Sequence, residues 1–254
     1  MLLAIDVGNT NIVIGCMDGP EIIFSGRINT DSQKTDMEFA VMLKNILSIN
    51  NISTDSIEGA VISSVVPPVN KALKDAIKLV TGKDAYMVTG LEGITVDIDD
   101  PNQLGKDLVV GAVAVLAEFS PPLILIDMGT ATTIFVIDKE KKYLGGAIMP
   151  GVMISQNALA GMTSLLPSIS LTAPKSVIGK NTVDSMNSGA VFGNAAMLDG
   201  MLDRIEAELG EKATAIATGG LAKVITAHCK HDIICDENLL LKGLYLIYER
   251  HKNQ

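Results

Sequence analysis

Two short stretches carry residues whose types and order suit phosphate chemistry. The first reads Leu2-Leu3-Ala4-Ile5-Asp6-Val7-Gly8-Asn9-Thr10-Asn11: an apolar run for a buried strand, a carboxylate at its end, then glycine and small polar residues. Gly8 lets the backbone turn sharply and leaves room for a phosphate group beside it. Asp6 stands where an acidic oxygen can hold Mg²⁺ directly or through its waters, and Thr10 and Asn11 add donors. No G-x-x-x-x-G-K-[ST] occurs in the chain, so this is not a Walker A loop. Alone, Asp-x-Gly in a turn fits a plain structural hairpin as well as a ligand loop.

The pattern returns in Leu125-Ile126-Asp127-Met128-Gly129-Thr130-Ala131-Thr132, again an apolar run, Asp, any residue, Gly and small hydroxylated residues. Asp127 lies 121 residues beyond Asp6, close to half of the 254-residue chain, which points to a duplicated unit. Two acidic hairpins from two related halves would make a two-sided clamp for the phosphates of a nucleotide.

The elements that must position these loops follow from periodicity. In the first half, strands are predicted at Asn11 to Gly15, Glu21 to Ile28, Gly59 to Ser63 and Asp84 to Val88. Thr35-Asp36-Met37-Glu38 has the form of a capping box, and Phe39, Ala40, Leu43, Ile46 and Leu47 follow at helical spacing. Pro67-Pro68 opens a second helix, and Leu104 to Phe119 reads as a third. Pro121-Pro122 marks the division, giving domains at 1–120 and 121–254. The second half repeats the scheme, with strands near 123–127, 131–138, 142–149, 214–218 and 232–235. Its helices are expected at 152–164, 182–209 and 239–250, with Gly189 and Gly193 allowing close packing in the long one. Three strands, helix, strand, helix, strand, helix in each half predicts an α/β protein of duplicated ribonuclease-H-like domains, each with a mixed five-stranded sheet.

Composition narrows the function classes. Forty-eight per cent hydrophobic residues give a well-filled core, and no run approaches the ~20 apolar residues of a membrane span. The chain enters a strand at once, without the charged region of a signal peptide, so a soluble cytoplasmic protein is expected. A net charge of −9 argues against general nucleic-acid binding, whereas backbone amides or a metal ion can still bind metabolite phosphates. Cys16, Cys229 and Cys235 read as reduced thiols, and His228-Cys229-Lys230-His231 with Cys235 fits no standard zinc spacing.

Seven motifs, in order, resemble the type III pantothenate kinase family of the superfamily that holds acetate kinase, sugar kinases, heat-shock chaperones and actin. They are Asp6-Val7-Gly8-Asn9-Thr10, Ser63-Ser64-Val65-Val66-Pro67, Gly105-Lys106-Asp107, Asp127 to Thr133, Gly145 to Gly151, Gly179-Lys180-Asn181-Thr182 and Thr218-Gly219-Gly220-Leu221. The resemblance implies an ATP-dependent kinase acting on pantothenate in the first step of coenzyme A synthesis. It also implies a homodimer with its active site near the interface, using Mg²⁺ and a monovalent cation, K⁺ or NH₄⁺. By position, Asp6 resembles the Mg²⁺-linked acid, and Gly8, Asn9, Thr10 and Asn11 resemble the first phosphate loop. Gly129, Thr130, Thr132 and Thr133 resemble the second loop, and Asp127 the acid of the monovalent cation. Thr218, Gly219 and Gly220 resemble the nucleotide-side turn, Asp107 the general base, and Thr182 a substrate contact from the neighbouring subunit.

The chain departs from the family around the acceptor. The family's Gly-Ala-Asp-Arg is here Gly105-Lys106-Asp107-Leu108, a tyrosine before the Asp-Pro step is Ile98, and a basic or polar position before the Leu-Pro pair is Met162. Pantothenate carries a carboxylate, and loss of one charge-assisted contact costs about 1.5–3 kcal/mol. Lys106 or Thr182 could compensate, or Leu108 and Ile98 could simply fill core space. Two other readings therefore stand beside pantothenate kinase: a kinase of a less anionic small alcohol, and a nucleotide-binding regulator that has lost phosphotransfer. The presence of Asp6, Asp107 and Asp127 together favours an enzyme.

Overall fold

The computed structural model describes residues 1–253. It resolves into two compact units: one comprises Met1–Ile94, Asp100–Ala117 and the chain from Asn238 onward, the other Thr95–Asp99 and Glu118–Glu237.

The first unit is built on β1 (Leu2–Val7), β2 (Asn11–Asp18), β3 (Glu21–Asn29), β4 (Gly59–Ser64) and β5 (Ala85–Met87), in the order β3-β2-β1-β4-β5. β1 runs antiparallel to β2 and parallel to β4. It is buried along its whole length because both faces are covered, which its unbroken apolar run anticipates. Side chains alternate across a strand, so Leu3, Ile5 and Val7 enter a core with Phe39, Leu43, Leu73 and Ile77 of α1 (Asp36–Ile49) and α2 (Pro67–Thr81). Asp6 stands on the opposite face. The capping box forms as expected: Glu38 N donates to Thr35 Oγ1 at 3.3 Å, and Thr35 N to a Glu38 carboxylate oxygen at 2.8 Å.

The second unit holds a sheet of β6 (Thr95–Val96), β7 (Leu123–Met128), β8 (Ala131–Ile137), β9 (Lys142–Pro150), β10 (Thr214–Thr218) and β11 (Ile233–Cys235), in the order β11-β10-β7-β8-β9-β6. Five of its strands repeat the first sheet position by position, confirming the duplicated α/β architecture. The sixth is a correction to the expected five: two residues of the 95–99 segment pair with the edge of β9. Ile124, Ile126 and Met128 face a core with Ala195, Leu198 and Leu202, which again leaves the acid, Asp127, on the other face.

The helices are α3 (Lys106–Glu118), α4 (Val152–Met162), α5 (Thr182–Ser188), α6 (Asn194–Leu209), α7 (Ala222–Thr226) and α8 (Leu239–Lys252). The long helix expected at 182–209 is interrupted by a π-helical turn over Gly189–Gly193. A side chain at either glycine would meet open space, so they bound this turn and are not there for close packing. The division near residue 120 also needs correcting, because α8 joins the first unit and packs on β1 and β4. Small residues explain why. A Cβ at Gly15 would strike Leu241, one at Gly59 Tyr248, and one at Gly243 the Val110 carbonyl of α3. Each glycine lets α8 sit closer than a side chain would allow. Among the described residues no helix is long and apolar enough to cross a membrane.

Candidate functional site

The first acidic turn is closed by its own backbone. Gly8 N donates to Asn11 O at 3.0 Å, and a Cβ at Gly8 would come within 3.2 Å of that oxygen. Thr30, just beyond β3, braces the loop from the side: its Oγ1 donates to Gly8 O at 2.6 Å and its N–H to Thr10 O at 2.9 Å. Asp6 is 7% exposed, while Asn9 and Thr10 are exposed. Across the sheet Asp6 lies level with Val13 on β2 and Ser63 on β4. Ser63 is fully buried, and its hydroxyl has no hydrogen-bond partner among the described residues.

The second turn keeps the Asp-x-Gly start but is one residue shorter, with three residues between the paired Met128 and Thr132 against four between Val7 and Ile12, and its flanks differ. Asp127 lies level with Thr133 on β8 and Thr218 on β10, so a carboxylate stands between two hydroxyl-bearing residues on one face. The hydroxyls of Thr132 and Thr133 are buried without a partner among the described residues. Gly219, at φ +98°, approaches so closely that a Cβ there would lie 2.6 Å from the Met128 carbonyl and 2.9 Å from an Asp127 carboxylate oxygen. Only glycine combines that backbone conformation with that contact. Gly151 occupies the place that Thr30 holds in the first unit, and a Cβ there would meet Gly129 O at 2.8 Å and Thr130 O. Gly129, Thr130 and Gly220 are exposed at the rim.

Asp107 sits in the first turn of α3, half-buried. Its carboxylate folds back over Gly105, whose missing side chain provides the space, and Oδ1 accepts the Leu108 N–H at 2.8 Å. Burial pushes the Asp107 carboxyl above the ordinary range, against the opposing pull of the Leu108 and Asp107 backbone N–H groups. Lys106 and Leu108, its neighbours, are half-buried in the same turn. Ile98 belongs to the second unit, where it packs on Gly145 at 3.5 Å from a Cβ placed there. Thr182, exposed, opens α5 and lines a cavity of about 720 Å³ together with Gln156, Leu159, Leu166 and Lys180.

Asp6 with Gly8 to Asn11, and Asp127 with Gly129 to Thr133 and Thr218 to Gly220, thus cluster within their own units as the sequence predicts. Thr30 and Gln156 were not singled out by sequence reasoning, and Gly151 entered it only as the end of the Gly145 to Gly151 motif. A hydroxyl and a glycine at equivalent strand ends could have been found by aligning the two halves. Gln156 could have been found as a polar residue four positions after Val152, on the same helical face. Among the described residues the cysteines and histidines near 230 form no shared ligand group, and His231 groups instead with Asp203 and Glu206. Cys229 turns to Ala195 O, and burial pushes its thiol up to about 12; Cys235 pairs with Thr226 Oγ1, and His228 meets the Phe192 ring edge-on.

In each unit a carboxylate beside a glycine backbone, Asp6 and Asp127, is an oxygen donor of the kind that hard cations take.

The family model described as type III pantothenate kinase matches residues 2–204. A type III pantothenate kinase of Exiguobacterium sp. is 43% identical over 254 residues, covering 99% of this chain and 100% of that relative. Among solved structures, component A of (R)-2-hydroxyglutaryl-CoA dehydratase from Acidaminococcus fermentans has a TM-score of 0.57 at 14% identity, covering 100% of this chain and 99% of that one. The inorganic polyphosphate/ATP-glucomannokinase of Arthrobacter sp. strain KM has a TM-score of 0.51 at 13% identity, covering 98% and 99%. At those identities the two structures show a shared fold alone.

Proposed function

The chain belongs to the type III pantothenate kinase family, and we propose that it transfers the γ-phosphate of ATP to the primary hydroxyl of pantothenate, opening coenzyme A synthesis. The observation that carries this reading is the paired acidic turn, one in each unit, each with an aspartate, a glycine and a loop of exposed donors. Asp6 holds Mg²⁺, and Gly8, Asn9, Thr10 and Asn11 receive phosphate oxygens from the first unit. Gly129, Thr130, Thr132 and Thr133 do so from the second, with Thr218, Gly219 and Gly220 on the nucleotide side and Asp127 holding K⁺ or NH₄⁺. Mg²⁺, when bound, neutralises charge on the transferring phosphate.

Asp107 takes the proton of the attacking hydroxyl. Its raised pKa favours that role, since a base is most effective when its pKa approaches the working pH. The Leu108 N–H holds carboxylate Oδ1 in place. The enzyme works as a homodimer in the cytoplasm, with Thr182 reaching the acceptor of the neighbouring subunit. Supporting the dimer, Met153, Ile154 and Met162 of α4 and Leu165 beyond it are exposed, an apolar surface that a second copy would cover.

Leu108 and Ile98 favour a second reading, an acceptor less anionic than pantothenate, because neither supplies the polar group that the family places there. A coupled ATP-turnover screen of pantothenate against a panel of small alcohols decides between them. Turnover with pantothenate at micromolar to millimolar KM supports the first reading. Turnover only with uncharged alcohols supports the second, and no turnover with any acceptor overturns both.

A further inference from the structure

The cavity that Thr182 lines contains a feature that neither the family motifs nor the acidic turns use. Gln156 on α4 is 7% exposed and lines this cavity. Its Nε2 donates to Met186 O at 3.3 Å, which fixes the amide's orientation, while its Oε1 is buried with no partner among the described residues. A buried carbonyl oxygen held in one orientation is a preset acceptor for an N–H or O–H group. Leu159, Leu166 and Met186 provide apolar wall, and Lys180 a cation among the lining residues. The volume, about 720 Å³, falls within the ~300–1,000 Å³ of small-molecule sites. The π-helical turn contributes Gly189 and Ala190 to the same wall, and such turns concentrate at functional positions.

We propose that Gln156 is a specificity residue, whose Oε1 accepts the amide N–H of an acceptor built as an alcohol, an amide and a terminal carboxylate. This rests on the reading of the chain as a pantothenate kinase, because pantothenate has that construction: a branched apolar segment, one amide and an anionic end. The apolar wall receives the branched segment, Gln156 the amide and Lys180 the carboxylate. Gln156 touches no reacting atom, so it sets KM and leaves kcat alone.

The test compares pantothenate with its oxo-ester analogue, in which oxygen replaces the amide N–H, in steady-state assays of wild type, Gln156→Met and Gln156→Glu. Wild type should show a KM about tenfold lower for the amide, one hydrogen bond's worth, with equal kcat. Gln156→Met should lose that preference while its KM for ATP stays unchanged, and Gln156→Glu, which lacks the Nε2 donor to Met186 O that orients the acceptor oxygen, should lose it too. If Gln156→Met does not fold, the Glu variant and the wild-type preference decide alone. Equal KM for amide and ester in wild type, or a preference that survives in Gln156→Met or in Gln156→Glu, overturns the assignment and leaves pantothenate kinase activity standing. A wild type that phosphorylates other alcohols and never pantothenate overturns the functional reading itself, and the role of Gln156 with it.

Discussion

The turn at Asp6 and the turn at Asp127 share an Asp-x-Gly start and differ in length, four residues against three between the last paired residues, and in what flanks them. In the first, the acid stands between Val13 and Ser63 and its loop is braced by a side chain, Thr30. In the second, the acid stands between Thr133 and Thr218 and the loop is braced by backbone, Gly151 lying against the Gly129 and Thr130 carbonyls. The first unit thus sets one hydroxyl-bearing neighbour, Ser63, beside its acid, and the second sets two, Thr133 and Thr218.

Variants can break this contrast, beginning where charge should matter most. Asp107→Asn should lower kcat by about 10²–10⁴ and leave nucleotide affinity nearly unchanged. Turnover equal to wild type in a coupled assay would remove Asp107 from the chemistry. The two turns are then compared directly. Asp6→Asn should reduce kcat/KM for Mg·ATP by about 100-fold at every K⁺ concentration, whereas Asp127→Asn should cost about tenfold and abolish the response to K⁺. If the two variants show the same Mg²⁺ and K⁺ titrations, the division of ions between the turns is wrong.

The braces differ in a way that denaturant melts can read. Gly151→Ala forces a Cβ into two carbonyl oxygens and should destabilise by about 1–3 kcal/mol. Thr30→Val, which only deletes a hydrogen bond to Gly8 O, should cost about 1 kcal/mol. The reverse order would show that the second loop yields more easily than its contacts imply.

The smallest effect concerns pH. Burial holds Asp107's folded pKa above its unfolded value, so the folded state binds the extra proton. Its penalty on stability is absent below the unfolded pKa, grows as pH rises through the folded pKa and is fully present above it. Asp107→Asn should therefore gain stability relative to wild type at neutral pH but not at acid pH. A difference independent of pH would mean that desolvation does not govern this carboxylate.

Much of this was legible in the sequence where periodicity and turn chemistry are local. β1 and β7 announce themselves as unbroken apolar runs ending in Asp-x-Gly, and Thr35 with Glu38 gives α1 its start. What escaped depended on distant partners. β6 is two residues that become a strand only beside Lys142 and Tyr143. The π-helical turn keeps the side-chain rhythm of a helix, so its pattern reads as continuous. α8 is amphipathic wherever it lies, and its attachment to the first unit depends on Gly15, Gly59 and Gly243, seats that are visible only from the other side of the contact. In the candidate site, the acids and glycines were readable because their types are restrictive. Thr30 and Gln156 were not, since their significance comes from one hydrogen bond each, made or lacking.

The return of α8 also sets an order of events during synthesis. The second unit, about 120 residues ending at Glu237, is complete as soon as it leaves the ribosome. The first unit, begun earlier, still lacks the helix that covers the Asp6 face of β1 and β4. At ~5–20 residues per second, synthesis of the second unit imposes a wait of roughly 6–24 s with that apolar sheet face uncovered. The older half of the nascent chain therefore finishes last, and its exposed face is where a chaperone would be needed.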